Sequence, residues 1–277
     1  MTAAGEVQFD EIGYWSEVKL DIVREYAQAY STILTKKRLS HVYIDGFAGP
    51  GVNIARSTGE FVPGSPLNAL NIVPGFKEFY LIDLDGGKVE HLKSLVGDRK
   101  NVHIFEGDCN EILLEKVFPR VRYEDYRRGL CLLDPYKLNL NWEVIETAGR
   151  IRTIDLFLNF PIMDMNRNAL WRHPERVTAD GIARMNAFWG DGSWRDIAYE
   201  KRLTLFGDED AKLGNEAVTK AFQKRLLEKA GFQHVPIPMP MRNTKGSVVY
   251  YLYFASQQPV AEKIVMDIFE KYRNRGA

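Results

Sequence analysis

Five polar residues, each following a short apolar run, are the positions of this sequence best suited to bind a small molecule. They are Asp45, Asp83, Asp108, Asp134 and Asn159. An apolar run that stops at turn residues is typical of a buried parallel strand. Open α/β sheets bind their ligands at the carboxyl ends of such strands. The pattern therefore predicts a ligand crevice along one edge of a sheet.

The strand end at Asp45 is the one richest in glycine. Gly46, Gly49 and Gly51 follow it, with the small residue Ala48 among them. A backbone with so few side chains can approach a ligand closely. An acid followed by a glycine-rich turn is typical of a nucleoside-binding crevice. The alternative is a tight turn between strand and helix, with an incidental acid.

A nucleoside ligand also needs a carboxylate for its ribose hydroxyls and a polar group for its base. Asp83 is placed to bind the ribose and Asp108 to bind the edge of the base. For either acid alone, the alternative is a residue that caps a turn or a helix.

The elements that must position these residues can be read from the apolar periodicity. Apolar residues at spacings of three and four, from Trp15 to Ile33, predict a long first helix. Strands are predicted at 42–44, 79–82, 102–105, 130–133 and 154–158, with helices between them. This alternation predicts a doubly wound α/β fold with a parallel sheet.

Beyond residue 161 the alternation stops. Residues 162–215 are polar and rich in aromatic residues, and we expect them to form an inserted helical subdomain. Segments 235–241 and 248–255 flank a turn and predict an antiparallel hairpin, followed by a last helix over 260–272. Three prolines at alternate positions predict that the first hairpin strand lies at a sheet edge or is irregular. The predicted domains are 1–40 (a leader and a helix packed on the core), 41–161 with 216–277 (the core), and 162–215 (the insertion).

The composition is that of an ordinary soluble globular chain. Its 277 residues are 45% hydrophobic and 27% charged, and its 37 basic residues balance its 37 acidic ones. The net charge of the whole molecule therefore does not favour binding of nucleic acid. Cys109 and Cys131 are expected to be reduced and buried, and no Cys/His spacing indicates a metal site. No signal peptide or membrane-spanning run is evident, so we expect a cytoplasmic protein without membrane association.

Two cofactor classes could use this sheet edge. The dinucleotide fingerprint needs an acid about 20 residues after its glycines, and Asp83 is more distant. The stretch from Asp45 to Gly51 reads Asp-x-Phe-x-Gly-x-Gly, and the chain ends in a predicted hairpin. In both features it is similar to S-adenosylmethionine-dependent methyltransferases. The resemblance implies a Rossmann-like methyltransferase sheet with S-adenosylmethionine as cofactor.

Within this class, the chain resembles the three-Cys-motif partner family, TcmP. The resemblance covers nearly the whole chain. The segments that carry it are Trp15-Ser16-Glu17-Val18-Lys19, 43–51, Gly64-Ser65-Pro66, Asp134-Pro135-Tyr136, Asn159-Phe160-Pro161 and 250–256. It implies a partner, a protein with a three-cysteine motif encoded beside this one. The chain has Lys137 where we expect a glycine after Asp134-Pro135-Tyr136.

Combining the strand ends with this resemblance gives two sets of site residues. The cofactor set is Asp45, Gly46, Phe47, Gly49, Gly51, Asp83, Asp108 and Cys109. The acceptor set is Asp134, Pro135, Tyr136 and Asn159. The second set resembles the acid-Pro-Pro-aromatic loop of nucleic-acid amino-methyltransferases, in which the aromatic ring stacks on an extruded base. It lacks the second proline, and the alternative is an Asp-Pro turn beside a tyrosine that packs into the cleft.

The leading hypothesis is a methyltransferase-like protein that acts on a nucleic acid or nucleotide-like acceptor. The alternative is a non-catalytic partner subunit of the three-cysteine protein, and a third hypothesis is an NAD-dependent oxidoreductase. Arginines before the fourth strand and in the insertion suit phosphate contact, but a solvated face is the favoured interpretation.

Overall fold

The computed structural model describes residues 9–204 and 207–273, and describes side chains outside 202–210. Its strands are β1 (Glu11–Ile12), β2 (Ser40–Asp45), β3 (Val52–Ala55), β4 (Phe61–Pro63), β5 (Glu78–Asp83), β6 (Val102–Glu106), β7 (Arg127–Leu133), β8 (Ile154–Phe160), β9 (Tyr199–Thr204), β10 (Gly207–Lys212), β11 (Met239–Arg242) and β12 (Val248–Ala255). Its α-helices are α1 (Tyr14–Lys36), α2 (Ser65–Leu70), α3 (Gly86–Val96), α4 (Cys109–Ile112), α5 (Trp142–Arg150), α6 (Ile162–Asn168), α7 (Ala179–Trp189), α8 (Trp194–Ala198), α9 (Asn215–Glu228) and α10 (Pro259–Arg273).

A seven-stranded mixed sheet forms the centre of the molecule, in the order β11-β12-β8-β7-β2-β5-β6. The strands β8, β7, β2, β5 and β6 are parallel to one another, whereas β12 runs antiparallel to β8. The predicted α/β fold and its closing hairpin are thus confirmed, with the proline-bearing β11 at the edge. The chain adds β5 and β6 on one side of β2, and β7 and β8 on the other. The direction of winding therefore reverses between β2 and β7, where such sheets bind ligands.

Both faces of the sheet are covered by helices, which explains why the central strands are mostly apolar. Every residue of β8 is buried. One face packs against α1 and α10, with Tyr26, Phe157 and Phe254 in ring contact. The other face packs against α5 and α9. Burial on both faces is the reason a continuous apolar run, rather than an alternating one, was the correct signal.

A small second sheet covers the glycine turn, and the sequence did not indicate it. Strand β1 pairs in parallel with β3, which pairs antiparallel with β4. The expectation of a loose leader is therefore wrong for residues 11–12. The Phe9 ring meets Phe61 edge-on at 5.1 Å, and Lys88 pairs with Asp10 at 2.6 Å. Strands this short carry too little periodicity to be recognised, and their pairing depends on residues distant in the chain.

The inserted region contains α6, α7, α8 and a hairpin formed by β9 and β10. The hairpin was not predicted. The aromatic residues of this region pack against α9, since Phe188 and Trp189 lie 5.8 and 5.5 Å from the Phe222 ring. The region therefore shares a core with the main sheet, and the domain boundaries at 161 and 216 stay a prediction. Among the residues described, no helix combines the length and apolar character needed to cross a membrane.

Candidate functional site

A cavity of about 1200 Å³ opens at the carboxyl ends of β2, β5, β6 and β7, and we call it the cleft. All the predicted site residues except Asp45 and Gly51 line it. They are Gly46, Phe47, Gly49, Asp83, Asp108, Cys109, Asp134, Pro135, Tyr136 and Asn159. The fold thus brings the predicted cofactor and acceptor residues to one continuous space.

Asp45 and Gly51 lie outside the lining of the cleft, which corrects their predicted placement. Asp45 is fully buried, and its carboxylate accepts hydrogen bonds from the Phe47 amide at 3.2 Å and the Tyr43 hydroxyl at 3.3 Å. Burial raises its pKa to about 6. At Gly51, a Cβ would lie 2.8 Å from the Leu92 side chain. Both residues shape the turn from beneath, and residue type alone does not show which side of a turn faces the ligand.

Asp83 holds the glycine turn against β5. Its Oδ2 accepts from the Gly49 amide at 2.8 Å and its Oδ1 from the Asp85 amide at 2.9 Å. Gly49 has a φ of +64°, which glycine adopts without strain. Each carboxylate oxygen has a second lone pair, so Asp83 can still accept from ligand hydroxyls.

Leu84 is a cleft residue that the sequence reasoning missed. Its side chain is 73% exposed, an unusual state for a leucine, and it lines the cleft. An exposed apolar side chain next to a carboxylate provides a surface for a flat apolar group such as a nucleobase. Its position directly after Asp83 was the available signal.

Asp108 and Cys109 complete this side of the cleft. Asp108 caps α4, accepting from the Asn110 amide at 2.8 Å, so the capping role considered from the sequence is present. Asp108 remains exposed to the cleft. Burial, followed by the charge of Asp108, raises the pKa of the Cys109 thiol to about 12. Cys109 is therefore a protonated thiol that offers a small apolar surface and not a nucleophile.

At the other end of the cleft, Asp134 is held by two donors. The Lys19 ammonium donates to Oδ2, and the Asn159 amide donates to Oδ1 at 2.6 Å. The side chain of Lys19 is only 7% exposed and that of Asp134 is 30% exposed. The Asn159 Oδ1 atom is buried and has no hydrogen-bond partner among the described residues. Sequence reasoning missed Lys19, and its signal was a lysine on the buried face of α1, next to Val18.

Tyr136 and the inserted region form the outer wall of this end. The Tyr136 side chain is 71% exposed, with the Lys137 ammonium 5.1 Å from the centre of its ring. From α7, Arg184 lines the cleft and pairs with Asp180 at 2.8 Å. The insertion therefore contributes to the candidate site.

Lys137 has a φ of +60°, a left-handed conformation that favours glycine. This is the position at which the family resemblance led us to expect glycine. Changing Lys137 to glycine is expected to stabilise the protein by about 0.5–1 kcal/mol, because the strain of a side chain at positive φ is removed. Urea unfolding measures the change. Lys93→Gly, in the helical conformation of α3, is the control and is expected to destabilise by about 1 kcal/mol. Equal losses in both variants would contradict strain at Lys137.

The arginines that precede β7 lie at the opposite, amino-terminal edge of the sheet. Arg122 pairs with Asp125 at 2.8 Å, and Arg127 pairs with Glu78 at 2.5 Å. None of them lines the cleft. The solvated, ion-paired interpretation therefore holds for Arg122, whereas Arg127 is ion-paired but only 21% exposed.

Comparisons with known proteins yield likenesses of fold only. No family model and no curated protein matches the chain. Among solved structures, protein LPL1258 from Legionella pneumophila is 15% identical with a TM-score of 0.48, over 93% of this chain and 94% of that one. A proposed S-adenosylmethionine-dependent methyltransferase from Listeria monocytogenes is 15% identical (TM-score 0.41, 79% and 92% covered). A proposed methyltransferase from Thermobifida fusca is 12% identical (TM-score 0.42, 86% and 80% covered).

Proposed function

We propose that the cleft binds S-adenosylmethionine and that the protein transfers its methyl group to a nucleotide-like acceptor. The observation that carries this proposal is the continuity of one cavity of about 1200 Å³ between the glycine turn and Asp134. A site for one small ligand occupies roughly 300–1000 Å³. The cleft is therefore large enough for a cofactor and part of an acceptor together.

The residues around the glycine turn fit the cofactor. Asp83 keeps lone pairs for ribose hydroxyls, and Leu84 offers an apolar surface for the adenine ring. Asp83, Asp85 and Asp108 place negative charge along this wall, which favours a cationic sulfonium. A bound S-adenosylmethionine would supply the electrophilic methyl group.

The residues around Asp134 fit an amine acceptor. Lys19 and Asn159 fix the orientation of the carboxylate, and each oxygen still has a lone pair. The Asn159 Oδ1 atom is buried, so the partly exposed Asp134 carboxylate is the acceptor group that we assign to the amine. Its two oxygens suit an amine with two N–H donors, and the exposed Tyr136 ring suits stacking of a planar base. We infer that the chain orients the amine and stacks its ring system.

We also propose that the chain is a member of the three-Cys-motif partner family. Its partner would be the three-cysteine protein encoded beside it. Their support is the set of motifs quoted from the sequence. Several of those motifs include cleft residues, among them Ser16, Lys19, Gly64 and Ser65. Co-purification with the neighbouring three-cysteine protein tests the partner.

Titration calorimetry with S-adenosylmethionine and S-adenosylhomocysteine tests the cofactor. Both are expected to bind, and Asp83→Asn is expected to weaken binding by about 1–3 kcal/mol through lost hydrogen bonds to a charged group. Leu84→Ala separates ligand contact from turn structure, because this exposed side chain supports nothing else. It is expected to cost about 1 kcal/mol of binding free energy.

Asp98→Asn, an exposed acid outside the cleft, is the matched control and is expected to bind as the unaltered protein does. NAD is expected to give no binding heat. A folded sample that binds neither S-adenosylmethionine nor S-adenosylhomocysteine would overturn the proposal. The proposal would also be overturned if the Asp83→Asn and Leu84→Ala variants both bound as tightly as the unaltered protein.

A further inference from the structure

A second cavity, of about 250 Å³, lies between α1 and α10 at the amino-terminal edge of the sheet, and we call it the edge pocket. Its walls come from the second half of α1, the first residues of β7 and β8, and the turn that leads into α10. It shares no lining residue with the cleft. Its volume is that of a small organic molecule.

The charged groups of the edge pocket are unbalanced. Lys37, Arg128 and Arg152 line it, and none of them forms an ion pair with any side chain that the structure describes. Arg128 lies over the Tyr123 ring at 4.2 Å. The one acid in the lining, Asp155, accepts from the Tyr26 hydroxyl at 2.7 Å and the Ser256 hydroxyl at 2.5 Å. Asp155 also interacts electrostatically with Arg128, so the pocket holds three cationic groups against one carboxyl group.

Two buried oxygen atoms on the residues of this wall lack hydrogen-bond partners among the described residues. They are the Tyr30 hydroxyl and Gln257 Oε1. The Gln257 amide nitrogen donates to the Gly149 and Gly231 carbonyls, both at 3.0 Å, so the side chain is fixed with its oxygen unpaired. Unpaired buried polar groups are rare in native proteins because each costs free energy. A ligand that pairs with them would remove that cost.

We propose that the edge pocket binds a small carboxylate with an apolar body and a hydroxyl group. The cations attract the carboxylate, and the Tyr30 hydroxyl can donate to it. Gln257 Oε1 accepts from the ligand hydroxyl. Ile33, Leu34 and Ile264 contact the apolar body. This proposal does not rest on the proposed methyl transfer.

Calorimetric titration of the full chain with 4-hydroxyphenylacetate, alongside its neutral amide, tests the proposal. The carboxylate is expected to bind at millimolar concentrations or below, and the amide about tenfold more weakly because it lacks the charge. Arg128→Gln is expected to weaken carboxylate binding about tenfold. Lys37→Gln, at an exposed helix end, is expected to weaken it severalfold without affecting folding.

Lys36→Gln is the matched control for Lys37→Gln, since Lys36 is the neighbouring residue and its side chain does not line the pocket. Tyr30→Phe separates a ligand role from a packing role. It is expected to raise the Tm of the free protein slightly, because an unpaired hydroxyl is removed, and to weaken carboxylate binding. Leu84→Ala, in the cleft, is expected to leave carboxylate binding unchanged. Equal binding of acid and amide, equal effects of the two lysine variants, or no binding at all would overturn the proposal.

Discussion

Asp134→Asn is expected to destabilise the protein by about 3 kcal/mol, because it leaves the buried Lys19 ammonium without its carboxylate. Removing one partner of a buried ion pair typically costs about 3–5 kcal/mol, since the remaining charge stays desolvated. We expect the lower end of that range. The buried carboxyl of Asp45 is close enough to interact with Lys19 and offsets part of the loss.

A double-mutant cycle checks this expectation. Lys19→Met alone is expected to cost less than Asp134→Asn, because the Asp134 side chain is 30% exposed and can be hydrated. The double variant Lys19→Met/Asp134→Asn is expected to recover most of the lost stability, since no unpaired charge remains. Urea unfolding measures each corner of the cycle. Additive losses would show that the two side chains do not interact.

The same cycle separates folding from chemistry. The double variant is expected to keep a stable fold but lacks the carboxylate that we propose orients the acceptor amine. It is therefore expected to bind S-adenosylmethionine and to fail in labelled-methyl transfer to a mixture of nucleoside monophosphates. Transfer by the Lys19→Met variant but not by the double variant would assign the carboxylate to the reaction rather than to stability.

The second large effect is a loss of stability between pH 4 and pH 7, caused by Asp155. Burial raises the pKa of this carboxyl from 3.8 to about 6. The folded state therefore holds the proton more tightly than the unfolded state does. The stabilisation is complete below pH 3.8 and is lost as the pH rises through 6. The difference corresponds to about 3 kcal/mol.

Asp155→Asn is expected to remove this part of the pH dependence. The hydroxyls of Tyr26 and Ser256 that donate to the carboxylate can also accept from an amide. Asp267→Asn, exposed on α10, is the control and is expected to keep the slope of the unaltered protein. Asp45, whose pKa burial also raises to about 6, adds a loss in the same direction, and groups with lowered pKa, such as Glu78 and Asp191, act in the opposite direction. These three contributions are common to all three proteins. Parallel stability curves for the unaltered protein and Asp155→Asn would contradict the prediction.

The sequence predicted the sheet well because burial on both faces leaves a strong local signal. Run 42–44 is apolar at every position and run 154–158 at every position except Asp155, and polar or turn residues follow both runs. The position of Asp134 at the cleft followed from this order alone. Its pairing with Lys19 did not, since the two residues are 115 positions apart and meet only when α1 packs on the sheet.

Other features were missed because their causes are not local. The β1–β3 pairing joins residues 11–12 to 54–55, and each strand is too short to show a period. The inserted region was predicted as helical from its composition, whereas β9 and β10 stabilise each other by backbone pairing. Asp45 and Gly51 were expected in the lining because their residue types suit a ligand, but Asp45 is buried and bonded to the Tyr43 hydroxyl, and Gly51 packs closely beneath Leu92.

Helix α1 has a consequence for how the two cavities communicate. Its 23 residues span about 35 Å. Ser16 and Lys19 near its start line the cleft, and Ile33 and Lys37 near its end line the edge pocket. A ligand in one cavity that displaced α1 along its axis would therefore also alter the other cavity, and the factor by which each ligand changed the affinity of the other would be the same in both directions.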